Sequence, residues 1–218
     1  MPNHVARRVV RRGHRGFVGL FASRKSVRPI QFESLLEYKF LCLAEVDPLL
    51  TDIREQPREI TWTDFDGVVR RHIPDFEVVY RLKPVITEVK PAHKTIEPTF
   101  KERTTIITSL LGQEGVLYRV LTEAVIYREP ALSNAKVLLR GLGHDPLPEE
   151  SNAVASLLAA APEGMSIIEI CRRLSAPPEF SNSIYAMIMA GQIALADSGA
   201  PVDVYARVQG VPNKESLR

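Results

Sequence analysis

The sequence predicts an α/β chain in two parts: a mixed-sheet core, then a small domain of three helices and a hairpin. Three observations predict it. A helix-period segment precedes a cluster of short β-prone runs, a second amphipathic segment separates these runs from a further apolar strand, and a turn-rich stretch divides this pattern from a mainly helical remainder. The 218 residues, 45% hydrophobic and 25% charged, allow one large or two small folded domains.

The first helix is expected over residues 33–45, where Leu36, Phe40 and Leu43 recur at helical spacing and Asp47-Pro48 ends the pattern. Residues 58–62 and 68–72 are β-prone runs around the turn Asp64-Phe65-Asp66-Gly67, which predicts a hairpin. Strands over 75–80 and 85–90 follow, joined by a short turn, so the region reads as a meander. A second amphipathic helix over 100–111 ends near Gly112, an apolar strand follows over 116–122, and a short helix over 132–140. Residues 141–150, Gly-Leu-Gly-His-Asp-Pro-Leu-Pro-Glu-Glu, are rich in turn formers and mark the domain boundary. Helices at 152–161, 166–174 and 180–190, then strands at 193–197 and 202–208, give the plan of a winged helix-turn-helix with 180–190 in the recognition position. The expected division is a basic arm over 1–31, the α/β core over 32–145 and the winged-helix domain over 151–210.

A net charge of +2 conceals an asymmetry. Up to Phe32 the chain carries Arg7, Arg8, Arg11, Arg12, Arg15, Arg24, Lys25 and Arg28 and no acidic residue, an arm that suits a polyanion and equally a solvated tail. The apolar runs fall far short of the roughly 20 residues a membrane span requires, and no apolar signal core accompanies the first arginines, so a cytoplasmic protein without membrane contact is expected. Cys42 and Cys171 sit in apolar helical patterns without a Cys-x-x-Cys pair, which predicts buried free thiols.

Side chains at i and i+2 of a strand share a face, so Glu88 and Lys90 are presented together, and a meander brings Asp75 beside Glu88. Two carboxylates at one place form an oxygen-rich site for a hard cation such as Mg²⁺, with Mn²⁺ as a substitute. Lys90 is suited to hydrogen-bond an attacking water and to offset charge on a phosphate, and burial beside a metal favours a lowered lysine pKa. This is the Pro-Asp…Glu-x-Lys pattern of restriction-endonuclease-like nucleases, although surface charges on an exposed strand produce the same string. Glu33 and Glu37 lie four apart on the first helix, a like-charge pair that calls for a cation or basic partner; a helix-start position favoured by the macrodipole also explains Glu33.

The strings Glu33-Ser34-Leu35-Leu36-Glu37-Tyr38-Lys39-Phe40, Asp52-Ile53-Arg54-Glu55-Gln56-Pro57, Ile73-Pro74-Asp75-Phe76 and Ile86-Thr87-Glu88-Val89-Lys90-Pro91 occur in this order. Together they resemble the N-terminal domain of the TnsA family, over roughly residues 24–140. The resemblance implies a restriction-endonuclease-like fold with Glu37 as the helix-borne catalytic acid, Asp75 as the central metal ligand, Glu88 as the second strand ligand, Lys90 as the catalytic lysine and the Val89 carbonyl facing the metal. Arg54, Glu55 and Gln56 form a second signature, with Glu55 expected to act structurally. It further implies hydrolysis of double-stranded DNA at the 5′ ends of a transposon, leaving a 5′-phosphate and a 3′-hydroxyl. The implied partners are TnsB, an integrase-like subunit that cuts and joins the 3′ ends, and TnsC, an AAA+ regulator; the implied location is the bacterial cytoplasm, at the nucleoid when acting.

Candidate DNA-backbone contacts are Arg11, Arg12, Arg24 and Lys25 of the arm, with Lys94 and Lys101 beyond the Glu-x-Lys strand; His72 and His93 are left outside the site. The segment 180–190 contains no Arg or Lys, which argues against strong independent DNA reading and makes a protein-docking role at least equal to a DNA contact, with Met187 and Met189 in a core or interface. A stand-alone restriction or repair nuclease is the alternative, and a non-catalytic winged-helix regulator is a third possibility.

Overall fold

The computed structural model describes residues 17–64 and 66–211, so Arg11 and Arg12 lie outside the described residues. The chain divides into two compact units: residues up to Ala44 with Leu49–Arg128, and Glu45–Pro48 with the residues from Glu129 onward.

The first unit opens with β1 (Gly19–Phe21) and β2 (Ile30–Phe32), an antiparallel pair. Folded chain therefore begins inside the stretch expected to be a basic arm. The cause is aromatic: the Phe17 and Phe32 rings stack 5.7 Å apart, and Tyr38 approaches Phe32 at 5.4 Å and Phe21 at 6.1 Å. Tyr38 belongs to α1 (Leu35–Val46), which matches the helix expected from the 36/40/43 spacing.

Then follow β3 (Leu50–Glu55), β4 (Ile60–Thr63), β5 (Val69–His72), β6 (Phe76–Tyr80) and β7 (Lys83–Val89). The unit continues with α2 (Ala92–Thr95), α3 (Pro98–Gln113), β8 (Leu117–Leu121) and α4 (Glu123–Ile126). The central sheet has the order β3-β6-β7-β8, antiparallel except for the parallel pair β7 and β8, and is therefore mixed. The expected meander holds only for β6 and β7; β4 and β5 pair with each other as a separate ribbon. The place beside β6 belongs to β3, which the sequence pattern concealed. A bulge between Leu50 and Asp52 breaks the two-residue alternation, so the buried positions are Leu50, Ile53 and Glu55.

Every residue from Val85 to Val89 is buried, as expected of a central strand covered on both faces. On one face Ile86 joins Ile60, Ile107, Leu111 and Tyr118, which brings α3 onto the sheet. On the other, the Phe76 ring lies 5.1 Å from Phe40 of α1. Complete burial of side chains such as Ile86 and Ile107 contributes roughly 1.5–3 kcal/mol each.

The second unit holds α5 (Ala131–Leu138), α6 (Pro148–Ala159), β9 (Met165–Ser166), α7 (Ile167–Arg173), α8 (Ser181–Met189), β10 (Ile193–Leu195) and β11 (Arg207–Gly210). Its strands form an antiparallel sheet ordered β10-β11-β9. Val154, Leu158, Ile167, Ile170, Ile184 and Val208 build the core, and α8 is buried from Ile184 to Met189, including Met187 and Met189. A side chain at Gly141 would place its Cβ 2.5 Å from the Ala186 amide nitrogen, so the glycine lets the chain press directly on α8. That contact draws α5 and the turn after it into the second unit, and the division falls at Arg128 and Glu129, ahead of the turn-rich 141–150 stretch. Buried Asn134 ties this unit together, donating to the Ala200 carbonyl and accepting from the Val202 N–H, both at 2.8 Å. Cys42 and Cys171 are buried free thiols, and among the described residues no helix is long and apolar enough to cross a membrane.

Candidate active site

In the β6–β7 ladder Phe76 faces Thr87, which makes Asp75 and Glu88 the next opposing positions, at the ends of the two central strands. Where backbone pairing stops, the Asp75 side chain takes over: its Oδ2 accepts a hydrogen bond from the Val89 N–H at 2.7 Å. The Asp75 carbonyl accepts from the Gln56 N–H at 2.9 Å, and Gln56, just past β3, adopts a left-handed φ of 43°. Lys90 Nζ lies 3.3 Å from Asp75 Oδ2 and 3.2 Å from Glu88 Oε1. The strand trio named from sequence is thus gathered around one ammonium.

Glu88 is fully buried, and the residues that hold it include two not foreseen from sequence. His72 Nε2 stands 2.8 Å from its Oε2, and an Arg103 guanidinium nitrogen 3.5 Å from its Oε1. Burial pushes Glu88 upward, yet the His72 hydrogen bond and the charges of Lys90 and Arg103 outweigh it, leaving the pKa below the usual carboxylate value. Asp75 goes the other way. Burial, then the Glu88 charge, outweigh Lys90 and raise its pKa to about 7. Burial alone would lower Lys90, as the sequence led one to expect, but the charges of Asp75 and Glu88 prevail and raise it. Two carboxylates within 3.3 Å decide the sign.

Glu37 lines a cavity of about 370 Å³ together with Asp75, Lys90, His72, Arg71 and Glu59. Its oxygens are turned to the start of its own helix: Oε2 accepts from the Glu33 N–H at 2.8 Å and Oε1 from the Ser34 hydroxyl at 3.0 Å. Ser34 Oγ in turn accepts from the Glu37 N–H at 3.1 Å, a reciprocal arrangement of the capping-box kind written in Ser34-Leu35-Leu36-Glu37. Burial raises the Glu37 pKa, and Lys90 is the positive charge that most opposes this. Glu37 is therefore near the trio but occupied elsewhere.

These residues suit a hard cation in chemistry. Asp75 and Glu88 offer oxygen donors, and the two carboxylates already share one positive charge, that of Lys90. Among the described residues, no three His, Cys, Asp or Glu side chains converge closely enough to hold a metal ion as they stand, and Glu37 is turned to its own helix start. Rotation of Glu37 away from its helix start would add a third carboxylate.

The proposed backbone contacts lie elsewhere. Lys25 Nζ donates to the Ala44 carbonyl at 2.8 Å, Lys94 pairs with Glu97 at 3.2 Å, and Arg24 and Lys101 are exposed; none lines the Asp75 cavity. Of the Arg54-Glu55-Gln56 signature, buried Glu55 pairs with Arg28 at 2.9 Å and acts structurally, while Gln56 supports Asp75 directly. Gln56 was visible in that signature and His72 in its place just before Pro74-Asp75, whereas Arg103 carried no sequence signal.

A mixed sheet that gathers two carboxylates and a lysine at the ends of its central strands is an α/β domain consistent with a restriction-endonuclease-like core. Residues 47–123 match the family model described as TnsA-like endonuclease N terminal, which supports a TnsA-type assignment of that segment. No curated protein matches the chain.

Proposed function

We propose that this chain is a transposon-end DNA endonuclease that cuts the 5′ strands by Mg²⁺-dependent phosphodiester hydrolysis during cut-and-paste transposition. The observation that carries the proposal is the shared contact of Asp75 and Glu88 with Lys90, inside the segment matched to the TnsA-like endonuclease domain. The element order α1, β3, β6, β7, α3, β8 supports a restriction-endonuclease-like reading of the first unit.

Asp75, Glu88 and the Val89 carbonyl would hold Mg²⁺, or Mn²⁺ in its place, with Glu37 joining when it leaves its cap. Once bound, such an ion offsets charge on the phosphoryl group and favours ionisation of the attacking water. Lys90 hydrogen-bonds that water and balances charge on the scissile phosphate as its contacts to the carboxylates loosen. His72 and Arg103 fix Glu88 in one orientation, and Gln56 does the same for Asp75 through its backbone. The products are a 5′-phosphate and a 3′-hydroxyl.

The second unit follows the helix, strand, helix, helix, strand, strand order of a winged helix after its leading helix, which supports that reading. Burial of α8 from Ile184 to Met189 leaves little of it to read bases, so the unit is suited to protein docking. An integrase-like TnsB subunit and an AAA+ regulator of the TnsC type are the proposed partners. The test is a strand-resolved cleavage assay on transposon-end DNA with and without such a partner and Mg²⁺. Cleavage of the 5′ strand that vanishes in Asp75→Ala and Lys90→Ala supports the proposal; normal cutting by both variants overturns it.

A further inference from the structure

The β4–β5 ribbon has a face that the nuclease reading leaves unused. Thr61 faces Arg71 and Thr63 faces Val69 across the ribbon, and all four are exposed. The opposite face is seated: Ile60 is buried and Trp62 packs beside it against the Ile86, Ile107, Leu111 and Tyr118 cluster. One side of the ribbon is therefore anchored to the sheet core and the other is open.

Its rigidity is built locally. A two-stranded ribbon is marginal by itself. Here the Asp64 carboxylate accepts from the Asp66 N–H at 3.0 Å, the Val68 N–H at 2.9 Å and Arg70 Nε at 2.7 Å, which fixes the tip and holds Arg70 in place. Arg71 differs from its neighbour. It pairs with Glu59 at the long distance of 4.0 Å, its side chain is 70% exposed, and it lines the cavity that contains Asp75 and Lys90. The same strand ends at His72, bonded to Glu88, so the ribbon runs directly out of the site.

We propose that the β4–β5 hairpin is a DNA-binding ribbon, and that Arg71 on its open face binds a phosphate beside the one that is cut. The proposal rests on the nuclease reading above and adds where the substrate runs. A backbone drawn toward Asp75 meets Glu33, Glu37 and Glu59 around the cavity, and Arg71 is the guanidinium at that rim able to offset them. Four residues per strand extend about 13 Å, and a paired ribbon fits a major groove about 12 Å wide. Thr61 and Thr63 add hydroxyl donors along the same face.

The test measures binding of the full chain to a fluorescein-labelled DNA duplex by anisotropy in EDTA, from 50 to 200 mM NaCl, for the wild type, Arg71→Ala and Lys83→Ala. Lys83 is exposed at the far end of β7 and serves as the comparison. Arg71→Ala should weaken binding about 5- to 20-fold near 0.1 M salt and reduce the log–log salt slope by about 1, while Lys83→Ala leaves both unchanged. Wild-type affinity and slope in Arg71→Ala overturn the proposal. If Arg71→Ala also cuts with normal rate and KM while Asp75→Ala does not cut, the ribbon assignment fails and the nuclease stands. If Asp75→Ala cuts normally while Arg71→Ala lowers the slope, the nuclease site fails and the DNA contact stands.

Discussion

Replacing Asp75 with Asn should make the metal-free protein more stable at neutral and alkaline pH. The Asp75 pKa is raised from an ordinary 3.8 to about 7 in the fold, because it is buried beside Glu88. A carboxyl whose folded pKa is raised binds its proton more tightly in the native state, so its contribution is complete below about 3.8 and is lost as pH rises to about 7. The rise from 3.8 to about 7, at about 1.4 kcal/mol per tenfold change in proton affinity, sets an upper bound near 4 kcal/mol. Coupling to Glu88 and Lys90 reduces this, and about 2–4 kcal/mol is expected. Asparagine keeps an acceptor for the Val89 N–H and carries no charge to repel Glu88. Thermal melts of wild type and Asp75→Asn in EDTA, between pH 4.5 and 8.5, test this. The two should nearly coincide at the acid end and separate by about 5–15 °C at pH 8, given about 2–4 °C per kcal/mol for a chain of this size. A variant no more stable than wild type at pH 8, or a difference that does not vary with pH, refutes the reasoning.

Millimolar Mg²⁺ should raise the wild-type melting temperature at pH 8 and leave that of Asp75→Asn unchanged, as followed by calorimetry. His72→Ala removes the Oε2 partner of a fully buried carboxylate and should destabilise by about 1–3 kcal/mol in urea titrations. Gly141→Ala forces a Cβ against the α8 backbone and should destabilise the second unit by about 1–3 kcal/mol or more, visible as an earlier transition of that unit in calorimetry. Ser34→Ala should lower stability by about 0.5–2 kcal/mol through loss of its capping contacts, measured by the same melts.

The elements with a clean period were readable in the sequence. The 36/40/43 spacing located α1, and the β-prone runs around Asp64 located the β4–β5 hairpin. Strand β3 was not readable, because a bulge destroys its alternation, and neither were β1 and β2, whose three-residue lengths are held by aromatic packing from α1. Asp75, Glu88 and Lys90 could be paired from strand geometry alone. What that geometry lacked was everything arriving from other elements: His72 from the end of the ribbon, Arg103 from α3 and Gln56 from the end of β3. The orientation of Glu37 was in fact written in Ser34-x-x-Glu37, a helix-start signal that competes with its reading as a catalytic acid. The sign of the Lys90 shift could not be read either, since it depends on two distances.

The ammonium of Lys90 between Asp75 and Glu88 also means that this centre contains its own exchangeable counter-ion. Folding of the central strands does not have to wait for a divalent ion, because part of the charge it would neutralise is already offset from within the same strand end. Loading of the proposed divalent ion would then substitute one cation for another and would free the lysine for a phosphate.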